Sequence, residues 1–151
     1  MSTTFDIEAL RAQYLNVDFD EQHFELGAEQ IVDFARACGE TAPRYTDPSH
    51  PDFQAPPTFP TSFHAGRRLP EGFPTLPGLG MDAGKAVAPK APIRPGVKLT
   101  GRTHLHDLYV KTGRSGKMTF MVTRMEIYDP DEVQLATADT RIVIRERPQQ
   151  D

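Results

Sequence analysis

Tryptophan is absent from the chain and cysteine occurs once, at Cys38. A single thiol excludes an intrachain disulfide framework and a paired-cysteine metal knuckle, and it suits a reducing compartment. The expected state of Cys38 is a buried, inert thiol. An excess of positive charge is also missing: 17 Lys and Arg stand against 21 Asp and Glu, for a formal net charge of -4. The basic residues are scattered, so nothing gathers a nucleic-acid backbone or an anionic membrane surface. No stretch approaches the roughly 20 apolar residues of a membrane span. Met1 to Glu8 carries no basic start followed by an apolar run. A cytoplasmic protein is expected, with neither nucleic acid nor membrane as a partner.

The 151 residues, 38% hydrophobic and 25% charged, match one ordinary globular domain, taken as 1–151. The polar run Pro148 to Asp151 reads equally as a terminus or as the start of a linker to a further domain. What the chain has in excess is proline and glycine, fourteen and eleven, and much of that excess falls between Pro48 and Gly96. Proline lacks the backbone donor and clashes with the preceding turn, so no long helix crosses this stretch. A short helix from about Thr58 to Arg68, with Pro60 in its first turn, is the most it permits.

Regular structure is legible on either side. Ile7, Leu10 and Tyr14 recur at helical spacing behind Asp6, a candidate cap. An extended piece at His23 to Leu26 leads into Gly27 to Gly39, where Ile31, Phe34, Ala35 and Cys38 make one apolar face. Gly39 is placed to end that helix in a left-handed conformation. Val97 to Lys111, Met118 to Tyr128 and Val133 to Glu146 are rich in Thr, Val, Ile, Leu, Met, Phe and Tyr, and predict three strands. Thr112 to Gly116 and Asp129 to Glu132 supply the turns of an antiparallel meander. Met118, Phe120 and Val122 share one face of the middle strand; Met121, Met125 and Ile127 share the other, and one of these faces receives the Ile31/Phe34 helix.

Several groups carry potential chemistry. His104 and His106, two apart on a strand, share a face as a metal pair would. No third ligand at a recognisable spacing accompanies them, so no metal is expected. Ser62 and His64 lack the Gly-x-Ser-x-Gly elbow of a serine hydrolase. Gly78 to Gly84 lacks the Gly-Lys-Ser/Thr ending of a phosphate loop and reads as flexible loop. Arg67, Arg68, Lys85, Lys90 and Arg94 are the cations nearest the middle loop, where they could meet the phosphates of a nucleotide-bearing carrier or simply be solvated.

The order of these pieces carries a resemblance. A helix ending in Ala37-Cys-Gly-Glu-Thr-Ala-Pro-Arg-Tyr45, then Ala55-Pro-Pro-Thr-Phe59, then Arg94-Pro-Gly96 and three long strands, resembles the N-terminal, FAS1-like dehydratase domain of the MaoC-like family from about Phe24 to Arg145. The resemblance implies an α+β hot-dog fold, an antiparallel sheet wrapped around a central helix, shortened here by its prolines. It also implies hydration or dehydration of enoyl thioesters carried on coenzyme A or acyl carrier protein, with no other cofactor. Catalytic members carry Gly-Asp-x-Asn-Pro-x-His. Aligned on Gly39 and Pro43, this chain places Glu40 at the Asp position and Tyr45 at the His position. A base that activates water for attack at C3 and an acid that protonates C2 are both required. Tyrosine, with an ordinary pKa near 10, is a poor base, and the longer glutamate shifts its carboxylate by about a methylene. No catalytic residue is therefore assigned.

The resemblance further implies a heterodimer or heterotetramer in which a MaoC-like subunit supplies His and Asp. Pro57, Thr58, Phe59, Phe63, Arg94 and Gly96 would meet the substrate. The shortened helix leaves either a collapsed core, with Phe59, Phe63, Leu69, Phe73, Leu76, Leu79 and Met81 packed under a long loop, or an open cavity lined by them and wide enough for a bulky acyl group such as fused steroid rings. The resemblance extends to mycobacterial fatty-acid dehydratase subunits and actinobacterial steroid side-chain hydratases. Two alternatives stay open: a hot-dog acyl-CoA thioesterase using Glu40, and a non-catalytic acyl-binding scaffold.

Overall fold

The computed structural model describes residues 4–146, so the polar run Pro148 to Asp151 lies outside the described residues. In chain order it forms helix α1 (Ile7–Tyr14), strand β1 (Asp18–Glu25), helix α2 (Ala28–Ala37), the four-residue helix α3 (Pro43–Thr46) and a 3-10 turn (Phe59–Ser62). Strands β2 (Leu79–Pro89), β3 (Lys98–Gly113), β4 (Gly116–Tyr128) and β5 (Gln134–Arg145) follow. The five strands make one antiparallel sheet in the order β1-β3-β4-β5-β2.

The helices start and stop for local reasons. The Asp6 carboxylate accepts the Ala9 N–H at 3.1 Å and so satisfies one of the free donors at the start of α1. Arg11 then ties that helix to the sheet, donating to Asp107 at 2.9 Å and to the Leu108 carbonyl. At α2 the Gln30 side chain accepts the Gly27 N–H at 2.8 Å, and Gly39, with φ of 75°, ends the helix as its sequence suggests. Ile31, Val32 and Ala35 of α2 are buried against Leu99, Met125, Ile127, Ala136 and Ala138 of the sheet. Cys38 does not join this face. The helix ends at Ala37, Cys38 is the capping residue and its side chain is exposed, which corrects the expected buried thiol.

The β3-β4-β5 meander lies within two residues of its expected boundaries. Gly113 pairs with Gly116, closing a tight turn through Arg114 and Ser115. The expected three strands become five. β1 extends well beyond His23 to Leu26, and β2 occupies the segment expected as flexible loop. β2 is an edge strand paired with β5 alone, and its register shifts between Asp82 and Lys85. Edge position and a bulge both admit glycine, so Gly80 and Gly84 do not prevent a strand there.

The expected Thr58–Arg68 helix reduces to the turn Phe59–Ser62, because Phe63 is already extended at φ -93° and ψ 121°. The chain that follows covers the sheet as irregular loop. Leu76, with half-buried Leu69 and Phe73, packs beside Leu10 of α1 on Leu105, Leu108 and Met121. Both apolar clusters therefore lie on the sheet face that carries Met121, Met125 and Ile127.

Candidate functional site

The motif loop begins where α2 stops. The Glu40 N–H bonds the Ala35 carbonyl at 2.9 Å, and the Glu40 side chain is half-buried. Pro43 opens α3, where its missing N–H has no helical partner to lose. Tyr45 is 7% exposed, and the Arg44 guanidinium lies 4.9 Å from its ring centroid. Among the described residues, neither the Glu40 carboxylate nor the Tyr45 hydroxyl makes a side-chain hydrogen bond. The loop presents a packed phenol beside a guanidinium at the positions aligned with the acid/base pair.

Of the expected substrate contacts, Phe59 and Phe63 are buried in the core. They form a chain of rings Phe34, Phe59, Phe63 and Phe24, with successive centroids 4.8, 5.6 and 4.6 Å apart. Among the described residues the seven side chains expected to line one apolar cavity accordingly do not do so. Phe59 and Phe63 fill the core, Leu69, Phe73 and Leu76 pack under α1, and Leu79 and Met81 stand 61% and 39% exposed on β2. Pro57 and Thr58 are exposed, and Pro57 joins Pro60, Pro89, Pro92 and Leu135 around a slot of about 250 Å³. Arg94 donates to Asp52 at 2.8 Å and to the Phe53 carbonyl at 3.1 Å. Its guanidinium holds the Asp52 carboxyl below the usual range. The Gly96 N–H bonds the Leu26 carbonyl at 2.9 Å. Arg94 and Gly96 thus brace neighbouring loops.

A larger depression, of about 580 Å³, lies between the His64–Arg67 segment and strands β2 and β5. His64, Arg67, Asp82, Lys85, Thr140 and Ile142 are among its lining residues. Arg67 and Lys85 are legible in the sequence as cations of the middle loop. Their convergence with Thr140 depends on the β2–β5 pairing, for which the sequence carries no spacing signal.

His104 and His106 lie on the opposite face, in a row that runs Asp18, His104, Arg124, Asp139 across four strands. His104 is buried; its Nε2 is 3.1 Å from His106 Nδ1 and its Nδ1 is 3.7 Å from Asp18. No group of three or more His, Cys, Asp or Glu among the described residues is placed to hold a metal. Arg124 and Asp139 form a two-pronged ion pair at 2.7 and 2.9 Å. Burial, then Arg124, then His104 lower the His106 pKa, against the weaker pull of Asp139 and Asp107. A depressed folded-state value means that stability is intact above the unfolded pKa near 6.5 and falls as pH drops through the folded value. The melting temperature is therefore expected to decline between pH 7 and 5, and His106→Gln is expected to flatten part of that slope. An unchanged slope in the variant would assign the loss to groups other than His106.

An antiparallel five-stranded sheet cradling α2, with the motif loop directly after that helix, defines a hot-dog domain of the MaoC-like dehydratase type. The model of the FAS1-like dehydratase domain region matches residues 14–138, and the chain belongs to that family. A UPF0336 protein of Streptomyces coelicolor is 32% identical over 136 residues, covering 81% of this chain and 85% of the relative. Among solved structures, a chain of the ChsH1–ChsH2 complex from Mycobacterium tuberculosis superposes with a TM-score of 0.68 at 16% identity, covering 95% of this chain and 93% of that one. A MaoC-like dehydratase from Phytophthora capsici superposes with a TM-score of 0.67 at 20% identity over 89% of this chain. The present chain spans about half, 48%, of that dehydratase's length. No described helix is long and apolar enough to cross a membrane.

Proposed function

We propose that this chain is the non-catalytic half of a heteromeric enoyl-CoA hydratase, completed by a MaoC-like subunit that brings the His and Asp. The observation that carries this reading is the pair Glu40 and Tyr45 at the acid/base positions, with Tyr45 packed under Arg44 rather than open to a water. In such an assembly the partner's pair activates water for attack at C3 of a trans-2-enoyl thioester and delivers the proton to C2. This chain contributes sheet, part of the acyl site and a surface for the coenzyme A carrier near the Pro57 slot.

The two sheet edges differ in their fitness for pairing. β1 sets Asp18, Asp20, Glu21 and Glu25 along its length, the kind of charge that guards an edge. β2 is 11 residues long, has one neighbour, and exposes Leu79 and Met81. β2 is thus the strand through which a partner sheet would continue. The replacement of a long helix by loop leaves the 580 Å³ trough beside it, wide enough for the far end of a bulky acyl group, such as a steroid side-chain thioester, where that end carries polar atoms to meet the polar lining.

Co-expression with a MaoC-like subunit that carries the intact Gly-Asp-x-Asn-Pro-x-His motif, followed by gel filtration and a hydration assay, tests the reading. Co-elution, turnover only by the pair, and a higher kcat/KM for a steroid enoyl-CoA than for linear enoyl-CoAs are expected. Full turnover by this chain alone would overturn the division of labour. Preference for linear substrates with the steroid thioester unprocessed would overturn the bulky acyl group.

A further inference from the structure

We infer that the trough between the His64–Arg67 segment and the β2–β5 edge receives an anionic, oxygen-bearing end of the acyl group, held by Arg67 and Lys85. The acyl thioester is taken from the hydratase reading; the chemistry of the far end is read from the trough alone. Strand alternation settles which side chains face it. Ile142 lies with Met121 on the inner face, so Thr140 also faces inward; Arg141, opposite Val122, and Met81, opposite Val143, alternate to the other side of their strands and border the trough from there. The inward polar groups are then His64, Arg67, Asp82, Lys85 and Thr140.

Their existing bonds leave donors in excess. His64 Nδ1 accepts the Gly66 N–H at 3.0 Å, which puts the proton of a neutral ring on Nε2. Lys85 Nζ spends one donor on the Thr61 carbonyl at 3.1 Å and keeps two. Asp82 accepts the Gly84 N–H at 2.7 Å. Adjacent Arg68 is paired with Asp20, whereas Arg67 makes no ion pair among the described residues. A hydrocarbon surface laid on this lining would strip water from Arg67 and Lys85 without replacing its hydrogen bonds, which is unfavourable. A carboxylate replaces them, and the planar guanidinium of Arg67 suits its two oxygens.

Calorimetric titration of the full chain with three saturated ligands tests this: an ω-carboxyacyl-CoA, the plain acyl-CoA of equal length, and coenzyme A alone. The ω-carboxy thioester is expected to bind about tenfold tighter than the plain one, the gain of one charge-assisted contact. Arg67→Ala, at an exposed position, is expected to remove most of that difference and leave plain acyl-CoA unchanged. Lys85→Met should act in the same direction. Equal affinities, or no binding of either thioester, would overturn the inference. So would an equal loss for coenzyme A alone in Arg67→Ala, which would assign the cations to the carrier's phosphates. Because no ligand is turned over, failure of the hydratase reading would appear separately, in the hydration assay.

Discussion

Glu40→Asp combined with Tyr45→His is expected to leave the isolated chain at least about a hundredfold below a catalytic pair, even though it restores both residue types of the family motif. General acid–base catalysis depends on where the proton-carrying atoms sit as much as on which they are. The residue-45 side chain is packed in the short α3 helix, 7% exposed, with the Arg44 guanidinium over its ring. An imidazole placed there would be buried beside a cation, which disfavours its protonated form. It would also lack an acceptor to fix its orientation, and Ala42 stands where the motif has Asn. The variant's hydration rate, followed as loss of the enoyl-thioester absorbance, should stay at background, and the wild-type chain should still form the heteromer. Recovery to the rate of the reconstituted pair would overturn this expectation and show that the groups needed to orient a working acid/base pair are intact in this chain.

The meander and α2 were legible because their signals are local. β3, β4 and β5 alternate over long runs, and Gly39 stops α2 at its own position through its positive φ. β2 was not legible, because Gly78-Leu-Gly-Met-Asp-Ala-Gly84 has the composition of a loop and becomes a strand only through pairing with β5. Tertiary pairing overrides weak β propensity at such an edge. The motif positions could be read by alignment on Gly39 and Pro43. The fate of Phe59 and Phe63 could not, since ring-on-ring packing with Phe24 and Phe34 joins residues from three separate segments. The polar trough was hidden for the same reason: His64, Lys85 and Thr140 meet only in the folded sheet.

Gly78→Ala is expected to cause the largest loss of stability of any change outside the core, and with it the loss of partner binding. Gly78 has φ of 128°, and an added Cβ would fall 2.5 Å from the Arg145 carbonyl oxygen, 2.8 Å from its carbon and 3.0 Å from Ile144 Cγ2. The oxygen belongs to the backbone of β5, so no side-chain rotation relieves the clash. Leu79 opposite Arg145 is the first pair of the β2–β5 ladder, and moving either strand breaks that register. Backbone strain and overpacking together cost about 3 kcal/mol or more. That is a large part of the 5–15 kcal/mol typical of a domain, and corresponds to a fall of about 10 °C in melting temperature for a chain of this size. Because β2 is the edge proposed to continue into the partner sheet, its displaced start should also abolish co-elution of the two subunits. Gly80→Ala is the matched control: an added Cβ there meets nothing within 4 Å. It should shift the melting temperature little and leave co-elution intact. If both variants lost stability equally, the approach of the Arg145 carbonyl would not be the cause. If Gly78→Ala lost stability but still bound its partner, the subunit contact would lie elsewhere than β2.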